Sequence, residues 1–179
     1  MSSKTAYFHL PGLFEFYELY KVFLLIFREH REYFYDWCDI GSIYGAPLDC
    51  IWSGGRVENG EVKPWKVLEL MQDYGISARL TFSNSLLKEE HLADKRCNDI
   101  CSLFAQNKSK KNNQTQSNIQ NTSMESCGAQ NQKIINSYVS NGVIVHSELL
   151  LNYLKNNYPE LYFVSSTISF SIKSFNWQR

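Results

Sequence analysis

Apolar residues recur at three- and four-residue steps between Phe14 and Glu32. Phe16, Tyr20, Phe23, Leu24 and Phe27 share one helical face, with Glu18, Lys21, Arg28 and Arg31 between them. Pro11 and Gly12 break the chain just before, so the pattern predicts an amphipathic helix packed on a core. Its polar face carries too few Lys and Arg for a membrane-surface helix. "YDWCDIGSIYGAPLDCIWSGGR" predicts two short strands, near Trp37–Ile43 and Asp49–Trp52, with "GAP" as the corner. "VKPWKVLELMQDYG" predicts a helix. Pro64 suits its first turn, Val67, Leu68 and Met71 line one face, and Gly75 suits its stop. "ISARLTFSNS" is the next strand. "LLKEEHLADKRCNDICSLFAQ" is a helix burying Leu92, Cys97, Ile100, Leu103 and Phe104. Order resumes with a strand at Val143–His146, a helix in "ELLLNYLKNNYP" ended by Pro159, and a strand at Leu161–Ser166.

From Asp49 onward strands and helices alternate, which predicts parallel strands joined by helical crossovers. An open doubly wound sheet and a (β/α) barrel both fit that rhythm, although a closed barrel normally takes about 250 residues. Residues 1–106 hold the N-terminal helix and the first βα units. Residues 107–132 are dominated by Asn, Gln, Ser and Thr, and read as a disordered insertion that cannot bury enough surface to offset its ordering entropy. A further βα unit and strand occupy residues 133–167, and residues 168–179 form an aberrant tail.

Composition narrows the function classes. The formal net charge is zero and the pI is near 6.9, so binding to nucleic acid by charge is not indicated. No basic-then-apolar leader with a cleavage site is present, and "VFLLIF" falls far short of the roughly 20 apolar residues of a membrane span. These features read as cytoplasmic. Five cysteines at irregular spacing argue against a secreted disulfide framework and for reduced thiols. "CNDIC" places Cys97 and Cys101 one helical turn apart. Without a second pair they read as small buried residues rather than metal ligands.

The candidate chemistry lies where the strands stop: "SGGR", "SNS", "HS" and "SS". In a parallel α/β fold these ends share one edge, where ligands bind. The edge candidates are Arg56, to hold an anionic group, Asn84, to hydrogen-bond a substrate, and His146, to move a proton or bind an anionic group, with Ser83 and Ser165 as further ligand-binding positions. The competing reading makes Ser85 and Ser147 helix N-caps and His146 a structural histidine bonded to backbone. "WSGGRVENG" lacks the spacings of known phosphate loops, and no metal site is predicted.

Four segments, "YFHLPGLFEFYELYKVF", "HREYFYDWCDIGSIYGAPLDCIWSGGR", "YGISARLTFSNSLLKEEHL" and "NGVIVHSELLLNYLKNNYPELYFVSST", resemble the N-terminal half of uncharacterised bacterial proteins. Those proteins in turn resemble U32 (collagenase-like) peptidases, through an opening strand, a tight turn and the glycines of "DCIWSGG". The resemblance implies an α/β fold: a partial (β/α) TIM-type barrel with parallel strands, truncated, its active edge at the C-terminal strand ends. It implies an N-terminal fragment of a U32 peptidase-like protein, inactive alone. The alternative is a non-catalytic module that pairs with a separately encoded C-terminal half or with itself. Some U32-like proteins carry an iron–sulfur cluster. Its cysteines lie in the C-terminal half, and none of the five here matches them. After Thr167 the relatives continue into further strands, whereas here "ISFSIKSFNWQR" reads as a frameshifted or prematurely stopped end.

Overall fold

The computed structural model describes residues 5–54, 62–110 and 138–165. The strands are β1 (Ala6–Pro11), β2 (Cys38–Gly45), β3 (Ser77–Phe82), β4 (Lys108–Lys110), β5 (Tyr138–Ser140), β6 (Gly142–Val145) and β7 (Tyr162–Ser165). The helices are α1 (Tyr17–Glu29), α2 (Pro64–Tyr74), α3 (Glu89–Leu92), α4 (Lys95–Gln106) and α5 (Glu148–Asn157). Five strands form one curled, all-parallel sheet in the order β1-β2-β3-β6-β7, a half-barrel. Spatial order follows chain order throughout, without the reversal that defines a doubly wound sheet. Helical crossovers are what permit this, because parallel neighbours cannot be joined by a tight hairpin.

Alternation along each strand separates two faces. On β3, Ala78, Leu80 and Phe82 are buried, and parallel pairing sets Leu80 beside Val143 and Phe82 beside Val145. That face meets the helices through Val67, Leu68 and Met71 of α2, Phe104 of α4, and Leu150 and Leu154 of α5. Trp52 anchors the same core at 0% exposure, edge-on to Phe82 with ring centroids 5.4 Å apart. The helices start and stop as their end residues dictate. Pro64 opens α2, and Gly75 closes it in the left-handed region at φ 65°. Asp94 caps α4 by accepting from the Cys97 N–H at 2.8 Å. Ser147 caps α5 by accepting from the Leu150 N–H, as its position after a strand suggested.

Several elements differ from the sequence expectation. β1 was not anticipated. It is an edge strand whose residues are mostly exposed, so it carries no buried alternation. The two strands expected at Trp37–Ile43 and Asp49–Trp52 are one strand, β2, followed by a single 3-10 turn at Ile51–Ser53. Asp49 adopts φ 47°, which breaks any extended run there, and Trp52 is apolar because it fills the core. The long helix expected through Leu86–Gln106 is two helices, since Asp94 begins a new one. The expected insertion begins in ordered chain. Asn107 donates to the Leu103 carbonyl at 2.6 Å, and Lys108–Lys110 pair antiparallel with Tyr138–Ser140. The rest of that insertion, Ser166 and the expected aberrant tail lie outside the described residues.

The cysteine reading is also corrected. Cys50 and Cys97 form a disulfide with Cα atoms 5.6 Å apart, tying the segment after β2 to α4. They are separated by 47 residues, so only the crossover through α2 and β3 makes them neighbours. Cys97 and Cys101 are both buried on α4, as expected. Cys101 is free, and burial pushes its thiol pKa up.

Candidate functional site

The C-terminal strand edge gathers three of the segments singled out from sequence. Ser83 and Asn84 follow β3, His146 follows β6, and Ser165 ends β7. The His146 N–H donates to the Phe82 carbonyl at 3.0 Å, which sets His146 beside Ser83. Ser165 pairs in register with Val145. Ser83 Oγ donates to the Ser53 carbonyl at 2.8 Å. Asn84 Nδ2 donates to the Ile51 carbonyl at 2.8 Å, its Oδ1 accepts from the Leu86 N–H, and its own N–H donates to the Trp52 carbonyl. Ser83 and Asn84 therefore pin the Ile51–Ser53 turn to the end of β3. Arg56 lies outside the described residues.

A second cluster lies one step deeper, on the concave face of the sheet. Pairing aligns Pro11, Tyr44, Arg79, Gly142 and Tyr162 in one row across all five strands. His9 and Ser42 fall in the row below, and Thr81, Ile144 and Val164 in the row above. His9 Nδ1 and Ser42 Oγ share a hydrogen bond of 2.7 Å. Gly41 sits at an irregularity in the β1–β2 ladder, where a Cβ would stand 2.9 Å from His9 Cε1. The Tyr20 hydroxyl donates to the Pro11 carbonyl and closes the row at its β1 end.

Electrostatically the cluster centres on Arg79. Its guanidinium carbon lies 5.1 Å from the Tyr162 ring centroid. Among the described residues no carboxylate forms an ion pair with it. Asp39, the carboxylate of β2, lies five residues before Tyr44 and accepts from the Ile40 N–H at 2.8 Å. Arg79 Nε and Thr81 Oγ1 are buried without hydrogen-bond partners. Burial lowers the Arg79 pKa, with the Tyr162 phenol acting weakly the other way. Burial, and then the Arg79 charge, lower the His9 pKa below the ordinary histidine value. A chain reading confined to strand ends missed these residues. Their signal was present in Ser77, Arg79 and Thr81, which alternate with Ala78, Leu80 and Phe82.

On the helix side, an apolar cleft of about 370 Å³ lies between Pro47, Leu48 and Cys50, the start of α2, and Ile100 and Leu103 of α4. Arg96 at its rim pairs with Asp49 at 3.3 Å. Among the described residues no group of three or more His, Cys, Asp or Glu side chains is placed to hold a metal ion. Among them, no helix is long and apolar enough to cross a membrane. No family model, curated protein or solved structure matches this chain.

Proposed function

We propose that this chain is the ligand-bearing first half of a U32 peptidase-like (β/α) barrel, inactive on its own, with its ligand edge at the C-terminal ends of β3, β6 and β7. The observation that carries this reading is the chain-order, all-parallel, curled sheet, whose β1 edge is free among the described residues. In a closing barrel each strand has two neighbours and each helix is flanked on both sides. α1 packs against α2 and the Arg31–Tyr33 turn, yet Leu19 is 60% and Val22 57% exposed, with Phe16 and Ile26 exposed beside them. That apolar stripe is the surface a further barrel helix would cover. On this reading His146 moves a proton, while Ser83, Asn84, Ser165 and Arg56 hold the substrate. An iron–sulfur cluster would belong to the complementary half.

The test uses the purified chain. No hydrolysis of a fluorogenic peptide is expected from it alone, and turnover would overturn the inactive-half reading. Light scattering together with binding of a hydrophobic dye tests the open edge. Association or dye binding that falls when Leu19 and Val22 are both changed to Lys is expected. A clean monomer that binds no dye would count against an incomplete barrel.

A second reading, self-pairing as a non-catalytic module, is favoured by the aromatics at the free edge. Tyr7, Phe8, Tyr35 and Trp37 are all exposed there, with Tyr35 and Trp37 stacked 5.2 Å apart. A discrete dimer that dissociates when Phe8 and Trp37 are replaced by Ser would select it.

A further inference from the structure

The geometry points to an oxyanion-binding site on the concave face of the sheet, with Arg79 as its anchor and Thr81 as a second donor. The site needs only that face, so it stands whether or not the chain is half of a U32-like barrel.

Arg79 is on β3, the middle strand of the five, flanked by β2 and β6. A guanidinium held there has lost part of its hydration, and such a loss is usually offset by a carboxylate. None of the ion pairs among the described residues supplies one. The Tyr162 ring covers the guanidinium at 5.1 Å and offers no full charge. Arg79 Nε–H is a buried donor with nothing to donate to, and so is the Thr81 hydroxyl two residues on, on the same face. Positions two apart on a strand are separated by roughly 6.6 Å along it, so one group bound over the face can meet both side chains.

The surroundings define the ligand's chemistry. Gly142 leaves the row beside Arg79 without a side chain, while Ile144 borders Thr81 and Val164 lies beyond it in the same row. Tyr44 and Tyr162 stand on either side in Arg79's own row. The face therefore suits a small organic molecule that carries one carboxylate or phosphate. Its oxygens would take the paired guanidinium N–H groups and the Thr81 hydroxyl, and its carbon body would rest on the tyrosines and aliphatics.

The test is titration of ¹⁵N-labelled protein with benzoate and, separately, with inorganic phosphate, following the Arg79 Nε–H resonance in the wild type and the backbone amide resonances of β3, β6 and β7 in the wild type and every variant. A saturable shift with at least one probe is expected. Saturation by benzoate alone assigns a carboxylate carried on an apolar body, and saturation by phosphate assigns the phosphate class. Arg79→Gln should weaken binding by on the order of tenfold or more, and Thr81→Val by several-fold, since charge-assisted hydrogen bonds outweigh neutral ones. Should Arg79→Gln fail to fold, Arg79→Lys serves: it keeps the charge but loses the paired donors, and binding should still weaken. No saturable shift with either probe, or equal affinity in the variants, overturns the site.

Discussion

Arg79 and Tyr162 meet across Gly142. The guanidinium carbon sits 5.1 Å from the ring centroid, and the glycine lies on the strand between them in the same row. The contact joins two strands that are not paired with each other. It exists because the intervening position on β6 has no side chain. A Cβ at Gly142 would lie 2.5 Å from the Tyr162 carbonyl oxygen and 3.2 Å from its Cβ.

Gly142→Ala is therefore expected to destabilise the protein by about 1–3 kcal/mol, the usual cost of overpacking. The near atom is backbone, so β7 itself must shift rather than a flexible side-chain end. Denaturant unfolding measures the loss. An unchanged midpoint would show that β7 yields freely and that the row is not tightly registered.

The Cys50–Cys97 disulfide closes a long loop, and cross-links of that kind typically contribute about 2–4 kcal/mol. Dithiothreitol should lower the unfolding midpoint of the wild-type protein. Cys97→Ala should start from that lower midpoint and no longer respond to the reductant. The link also holds the segment leading into the Ile51–Ser53 turn, to which Ser83 and Asn84 bond. Its reduction should accordingly increase amide exchange at Ile51–Gly54 before exchange rises in β3.

The parts of the fold that were legible in the chain are those where local chemistry and burial agree. α2 has Pro64 at its start, Gly75 at its end and a clean apolar face between, and β3 is flanked by turn residues. β1 was not legible because its stabilising contacts come from β2, more than thirty residues away in register. The Asp49–Trp52 segment looked like a strand because its apolar residues serve the core from a 3-10 turn, and a window of that length cannot tell the two apart. The strand-end residues were found by asking where parallel strands stop. Arg79 and Thr81 were not, because they lie within β3 rather than at its end, where parallel strands present their ligand edge.

Asn141, just before β6, is a buried polar residue at 1% exposure. Its Oδ1 accepts from the Ala78 N–H at 3.0 Å, and its Nδ2 donates to the carbonyls of Phe104 and Asn107. It thereby ties β3 to the end of α4 and to the root of the paired β4 and β5 strands. Asn141→Ala should cost about 1–3 kcal/mol for the orphaned Ala78 N–H alone. Asn141→Asp keeps the acceptor but loses both donated bonds, so it should also destabilise, and more so above the carboxyl pKa. Thermal unfolding at two pH values separates the variants, and equal stability of Asn141→Ala and wild type would refute this role.

His9 supplies the pH dependence. Burial and the nearby Arg79 charge hold its folded-state pKa below the ordinary histidine value of 6.5. The unfolded chain, with the higher pKa, therefore binds more protons in the window beneath 6.5. Stability tied to neutral His9 is fully present above 6.5 and is lost as the pH falls through the lowered folded value. Arg79 is the charged group acting on it. His9→Gln, which can keep a hydrogen bond to Ser42 without titrating, should flatten the stability profile between pH 7 and pH 5. An anion bound at Arg79 would neutralise the repulsion, raise the His9 pKa and draw a proton onto the imidazole. Saturating benzoate or phosphate should then move the His9 titration, followed by its ring resonances, toward higher pH. A titration that stays in place while the Arg79 Nε–H resonance saturates would separate the two residues electrostatically.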